Sequence, residues 1–233
     1  GVLDVIKDFM RMMPAFDPAM FQVAAPVEPK FEAKDLNLIL PTNQKRPYDS
    51  IQFLARITDN SEFMEFRPDY GPEVFCGIAK IDGFPVAIVG NRQGVFPDYP
   101  EYAEGAYPGV GGKHYREGLI KQGEFVTLCG RDNLPMIWLQ DTTGIDVGDL
   151  AEEAELLGLG QALVYSIEQT DIAMMCIVLR KGQAAAHYIM CGPQANNNNA
   201  FTLGTPCTEI CVMHGETAAA ASYARRLIKE DEA

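Results

Sequence analysis

The chain lacks any apolar run approaching the ~20 residues that a membrane span requires, and it does not open with a secretory-signal pattern. Its six cysteines, Cys76, Cys129, Cys176, Cys191, Cys207 and Cys211, include no CxxC pair. Cys76 and Cys176 lie inside apolar runs, which reads as reduced, buried thiols in a cytoplasmic protein. Cys207 and Cys211 would share a face only in a helix, and their stretch has the composition of a strand, which weighs against a metal site there. Only three histidines are present, His114, His187 and His214, without triad or metal-ligand spacing, and no G-x-S-x-G elbow occurs. A structural role is expected for each. Cations are scarce as well: 19 Lys and Arg face 32 Asp and Glu, a net charge of −13. That balance argues against nucleic acid or an anionic membrane surface as partner, since both need clustered positive charge. The segment PGVGGKH at 108–114 fails as a phosphate loop, because Tyr107 stands at the first glycine position and His114 replaces the Ser or Thr that holds Mg²⁺. GLGQAL at 158–163 falls inside a helical pattern, so it is not a dinucleotide fingerprint.

What is present is a soluble globular balance of 47 % hydrophobic and 22 % charged residues over 233 positions, enough for one large domain or one domain plus an extension. The chain begins with Gly1 inside helix-like sequence and is expected to be a piece of a longer polypeptide. Leu3, Ile6, Phe9, Met10 and Met13 make a helical stripe that ends at Pro14. Prolines at 14, 18, 26, 29 and 41 then mark a linker or arm, so residues 1–47 separate from a domain at 48–233. Asp49 or Ser50 caps a compact helix with Ile51, Leu54 and Ala55 on its apolar side, stopped by a turn at 58–61. Runs at 74–81 and 84–90 flank Asp82-Gly83, the signature of a tight hairpin. The Gly, Pro and Tyr-rich segment 91–112 is long enough to suggest a working loop. A helix is expected from about 113 to 131, a buried strand at 134–140, a loop at 141–148, and a long helix opened by the capping-box pair Asp149 and Glu152, with Glu153 and Glu155 complementing its dipole. A strand at 172–179, a polar tract at 196–199, a strand-like run to Met213 and a helix at 216–229 complete the pattern. Strand and helix alternation of this kind predicts βαβ units and an α/β fold.

Two loops stand out: TTGIDVG and RKGQAAAH, each following a buried strand and preceding a helix. Both positions expose backbone N–H groups at the positive end of a helix. Two such groups converging on one point stabilise a developing oxyanion, and small side chains let a ligand oxygen approach the main chain. Close helix–strand packing explains the three alanines equally well from composition alone.

The hairpin GIAKIDGFPVAIVGN, the run EFVTLCGRDNLPMIWLQDTTGIDVG and the stretch IVLRKGQAAAHYIMCGP resemble the second crotonase-like half of the biotin-dependent acyl-CoA carboxyltransferases, and most nearly the glutaconyl-CoA decarboxylase branch of that family. Acyl-CoA carboxylases more often read QNTPGF and GGSYGAGN at these loops, so Thr143, Ile145, Ala184 and Ala186 are departures that point to the decarboxylase branch. The resemblance implies the ClpP/crotonase ββα superhelix, with residues 48–233 as the C-terminal carboxyltransferase domain lacking its last helices. It implies carboxyl transfer from glutaconyl-CoA to biotin, giving crotonyl-CoA and carboxybiotin, with no metal. Acyl-CoA carboxylation of propionyl- or methylcrotonyl-CoA is the alternative, and a biotin-docking or dimerisation module without activity is the reading for the fragment alone. The backbone N–H groups of Gly144, Ile145, Ala184 and Ala185 are then the oxyanion-hole candidates, and Thr143, Val147, Gly182 and Ala186 the cofactor-binding ones. Arg180 and Lys181 either set the local potential or cap the strand end. The implied partners are the acyl-CoA substrate, a biotin carrier subunit, further copies of the chain, and an integral-membrane, Na⁺-pumping decarboxylase subunit that would hold a cytoplasmic protein at the membrane.

Overall fold

In a computed structural model, residues 1–12, 24–192, 199–215, 217–220 and 222–223 are described. Met13, Pro14, Pro18, Pro193, the tract at 196–198 and most of the expected last helix lie outside them. The helices are α1 (Val2–Met12), α2 (Leu36–Ile39), α3 (Ser50–Leu54), α4 (Arg116–Arg131), α5 (Asp149–Glu153), α6 (Leu156–Glu168) and α7 (Ala184–Ile189). The strands are β1 (Met64–Glu65), β2 (Val74–Ile81), β3 (Phe84–Asn91), β4 (Val95–Phe96), β5 (Gly109–Val110), β6 (Lys113–His114), β7 (Met136–Thr142), β8 (Gly144–Ile145), β9 (Met174–Gln183), β10 (Asn199–Gly204) and β11 (Glu209–Cys211).

The main sheet runs β1-β2-β3-β7-β9-β10, with β11 also paired to β9. β1, β2 and β3 are antiparallel, whereas β3, β7, β9 and β10 are parallel. The hairpin forms where Asp82 (φ 53°) and Gly83 (φ 77°) supply the two positive angles its turn requires. Alternation along each strand then divides two cores. Cys76, Ile78, Ala87, Val89, Trp138 and Met174 face α4 and α6, while Phe75, Ala79, Ile88, Leu139 and Leu179 face Leu40, Phe53 and Leu54. Cys76, Cys129, Cys176 and Cys191 are buried thiols.

Several expected boundaries move. The Asp49 side chain does cap α3, accepting from the Ile51 N–H at 2.9 Å, but Phe53 and Leu54 are the buried side chains and Ile51 faces solvent. The expected helix from 113 begins instead at Arg116, because Lys113 and His114 form a strand with Gly144 and Ile145. The capping box at 149–152 does not form: Gly148, at φ 117°, takes the cap position without a side-chain bond. Glu155, at φ 60°, then divides the expected long helix into α5 and α6. On α1 the apolar stripe exists, yet Leu3, Ile6, Phe9 and Met10 are exposed and only Met12 is buried. The segment 91–112 is not wholly irregular, since β4 pairs with β5 across it.

Candidate functional site

The two loops singled out in the sequence come together because β7 and β9 are parallel neighbours and both end at the same edge of the sheet. Gln140 lies opposite Val178 and Thr142 opposite Gly182, with a register shift between them at Asp141. From those ends the chain enters β8 on one side and α7 on the other, and α7 packs against both β7 and β8. One loop is held from outside by Gly112, whose carbonyl accepts from the Thr143 N–H at 2.8 Å and the Thr142 hydroxyl at 2.9 Å.

Pairing of β8 with β6 decides which backbone groups the loop offers. The Asp146 N–H donates to the His114 carbonyl at 3.0 Å, and His114 lies opposite Ile145. Successive peptide N–H groups in a strand point to opposite edges, so the Ile145 N–H faces away from β6. Gly144, at φ 141°, has no heavy atom within 4 Å of where a Cβ would stand, so a ligand can approach its main chain. Thr143 and Val147 are exposed on either side.

The other segment is not the loop expected: β9 runs on through Arg180, Lys181, Gly182 and Gln183, and α7 starts directly at Ala184. There Ala184 and Ala185 are exposed and Ala186 is fully buried. Ala184 sits at φ 51°, a left-handed conformation that favours glycine. Replacing it by glycine trades that strain, about 1–2 kcal/mol, against a more flexible unfolded chain, about 0.4–1 kcal/mol. Ala184→Gly is therefore expected to raise unfolding stability by about 0.5–1 kcal/mol, measurable in a urea titration of the intact protein. Gly182 does not reach the surface. It pairs with Thr142 on one side and Ile210 on the other, and an added Cβ would lie 2.8 Å from His187 Nδ1.

The polar residues around the loops serve to fix them. Gln140 Nε2 donates to the carbonyls of His187 (3.1 Å) and Met190 (2.5 Å), so its Oε1 is left to accept from His187 Nδ1 at 2.6 Å. Burial holds the His187 pKa below its ordinary value and pushes that of His114, which is fully enclosed, down to about 4. Both histidines are thus neutral structural groups, as their spacing suggested. Arg180 is also fully buried: its Nε donates to Asp141 Oδ2 at 2.7 Å, its Nη1 to the Arg46 carbonyl at 2.7 Å, and it stacks on Tyr48 with its Cζ 4.7 Å from the ring centroid. Lys181 Nζ reaches the Gln44 carbonyl at 3.3 Å. Both cations therefore bind the segment 43–48 to the end of the sheet, which is the strand-capping role.

A buried acid that sequence reasoning did not pick out supports β6 from behind. Glu73 accepts the Tyr115 N–H at 3.1 Å, and its carboxyl occupies the space where Gly118 would carry a Cβ. Burial pushes its pKa up to about 7, against partial compensation from its hydrogen bonds. A carboxyl raised in the folded state stabilises the fold fully below its unfolded pKa near 4.5, and that contribution is lost as pH rises through 7. Glu73→Gln should abolish this loss, which amounts to up to about 3 kcal/mol. Denaturation midpoints of the two proteins from pH 4.5 to 8.5 test it: the parent should fall relative to the variant, and parallel curves would contradict the assignment.

Among the described residues, no group of three or more His, Cys, Asp or Glu could hold a metal ion, and no helix is long and apolar enough to cross a membrane.

Comparison with known proteins finds relatives over the whole chain. The family model described as "Carboxyl transferase domain" matches residues 1–233. Over 233 residues the chain is 54 % identical to glutaconyl-CoA decarboxylase subunit alpha of Acidaminococcus fermentans, covering all of this chain and 40 % of that one. It is 29 % identical over 203 residues to the biotin-dependent 3-methylcrotonyl-coenzyme A carboxylase beta1 subunit of Mycobacterium tuberculosis, covering 87 % of this chain and 34 % of the relative. The chain thus spans about two fifths or less of the length of these relatives. Among solved structures, the geranyl-CoA carboxylase beta subunit of P. aeruginosa superposes with a TM-score of 0.75 at 23 % identity, over 98 % of this chain and 40 % of that one. Transcarboxylase 12S gives 0.77 at 23 % identity over 95 % and 40 %. These superpositions establish the crotonase-like α/β fold expected from the sequence.

Proposed function

Since this chain belongs to the carboxyl transferase domain family, we propose that it supplies the biotin-side half of a carboxyltransferase site that moves the carboxyl group of glutaconyl-CoA to biotin. The observation that carries the substrate assignment is 54 % identity over the whole chain to a glutaconyl-CoA decarboxylase subunit, against 28–30 % to an uncharacterised carboxylase, a probable acyl-coenzyme A carboxylase beta2 subunit and methylcrotonyl-type subunits, and 25 % to a propionyl-CoA carboxylase beta chain. The remainder of the polypeptide would bind the acyl-CoA, a carrier subunit would present the biotin, and further copies of the chain would complete the active sites. Residues 1–47 are read as the arm joining the two halves and 48–233 as the biotin-side domain. A membrane-embedded decarboxylase subunit is the consumer proposed for the carboxylated carrier.

The residues present fit the biotin ring. Open space beside Gly144, and the exposed methyl-sized side chains of Ala184 and Ala185, admit a planar group against the main chain. When bound, biotin would supply a ureido nitrogen that accepts the carboxyl group after giving its proton to the carbon of the acyl-CoA that lost it, and a ureido oxygen that bears the negative charge while that proton is away. The chain's part is to hold that oxygen. Of the four backbone donors considered, Ile145 and Ala185 are preferred: the first is directed away from its own ladder, and the second lies in the first turn of α7, where N–H groups have no intrahelical partner. Gly144 and Ala184 shape the approach, Thr143 and Val147 form the rim, and Gly182 and Ala186 pack behind the loops to keep them close. No side-chain base is needed, which agrees with the neutral, committed state of His114 and His187.

The reading is tested on the intact protein with its biotin carrier. Release of CO₂ from glutaconyl-CoA that avidin blocks is expected. Bicarbonate fixation onto propionyl- or methylcrotonyl-CoA, without turnover of glutaconyl-CoA, would overturn the substrate assignment and favour the carboxylase alternative.

A further inference from the structure

The loop that carries Ile145 is flanked by two glycines with positive φ, Gly144 at 141° and Gly148 at 117°; Val147 within it and Thr143 just before it face solvent. A backbone of that kind does not hold one N–H in place by itself, because glycine gives it access to conformations on both sides of φ zero. Two side chains in the loop are turned inward: Ile145 packs against the core, and Asp146 meets a set of polar partners. The Asp146 carboxylate is 1 % exposed and accepts from Lys113 Nζ at 2.7 Å through Oδ1, and from the Tyr102 and Tyr107 hydroxyls at 2.9 and 2.5 Å through Oδ2. Its donors come from two places. Lys113 is the β6 residue paired with Gly144, and the two tyrosines lie on the Tyr-rich segment whose length had suggested a working loop.

We propose that Asp146 is a positioning residue: its carboxylate clamps the 102–107 segment and β6 onto the loop, and so fixes the direction of the neighbouring Ile145 N–H. The inference rests on the reading of Ile145 as an oxyanion donor for its catalytic consequence, but the clamp itself is a property of the fold. The carboxylate also suits an inward position because its hydrogen bonds to Lys113 and both tyrosines hold it ionised, outweighing its own desolvation. An aspartate does this where an asparagine does so less well. Three donors converge on an acceptor that carries charge, and one of them is a cation. Neither tyrosine is adjacent to Asp146 in sequence, being 44 and 39 residues away, so the arrangement is set by the fold.

The test uses the full-length enzyme with its carrier and three variants, Asp146→Ala, Asp146→Asn and the double Tyr102→Phe/Tyr107→Phe. For Asp146→Ala, kcat for carboxyl transfer should fall at least about 30-fold while KM for the acyl-CoA stays within about twofold, since the acyl-CoA half of the site is untouched. Asn, which keeps two acceptor lone pairs and the shape, should recover part of that loss, and the double Phe variant should lie between. Amide hydrogen exchange gives a readout independent of turnover: protection at Thr143 and Asp146, whose N–H groups bond Gly112 and His114, should drop at least about tenfold in Asp146→Ala while β7 is unchanged. Unaltered loop exchange, or a kcat loss with no recovery by Asn, would overturn the clamp. An enzyme whose parent form transfers no carboxyl group would refute the reaction assigned above, and exchange would still decide the role of Asp146.

Discussion

Replacing Ala185 by proline in the intact enzyme is expected to reduce carboxyl transfer by 10²-fold or more, with KM for the acyl-CoA nearly unchanged. The substitution deletes one N–H, and it also adds the restriction that proline places on the left-handed Ala184 before it. Proline is accepted in the first turn of a helix, where the N–H has no intrahelical partner to lose, and Ala185 is the second residue of α7 and exposed. Removing one oxyanion donor from a preorganised site typically costs about 10²–10³ in kcat. The comparison that isolates the N–H is Ala185→Ser, which keeps it and should retain most activity. Near-normal turnover in a folded Ala185→Pro enzyme would remove Ala185 from the site.

The second large effect is on stability. Arg180→Ala should destabilise the domain by about 3–5 kcal/mol, because it removes the closer of the two buried cations on Asp141 and leaves only Lys181 at 3.6 Å. Asp141 and Arg180 are both fully buried, so solvent does not replace the lost partner. The same guanidinium serves the carbonyls of Asn43 and Arg46 and the ring of Tyr48, so the segment 43–48 should detach from the sheet as well. Urea unfolding combined with proteolysis at 43–48 measures both parts. A loss below about 1 kcal/mol would mean that the pair behaves as an exposed one and that the arm is held by other contacts.

How much of this was legible in the sequence depended on the range of the interaction. Asp82-Gly83 announces its hairpin because the turn's angles are a local property of two residues. The meeting of the TTGIDVG and RKGQAAAH loops followed from strand–loop–helix order, since parallel strands end at one edge. What stayed hidden was non-local or too short for a period. β6 and β8 are two residues each and show no alternation, so the start of α4 was misplaced by three residues. The expected capping box gave way to Gly148, whose positive φ sets the chain direction there. For Arg180 the sequence left open a local potential or a cap on the strand end, and only the fold shows its partners 137 and 134 residues away. Glu73 carried no motif; its signal is burial, which a lone acid before an apolar run does not reveal. Asp146 could have been suspected, since a tyrosine-rich loop and an inward-facing acid at a glycine-flanked turn are complementary, but their distance in sequence gives no register.

The central claim is that two backbone N–H groups, one from each loop, hold a single oxygen of the biotin ring. A crystal structure of the full-length protein with biotin measures it directly. The ureido oxygen should lie within about 3 Å of the main-chain nitrogens of Ile145 and Ala185, with no side-chain donor nearer. A ring seated elsewhere, or an oxygen bonded only to a side chain such as Thr143, would contradict the account.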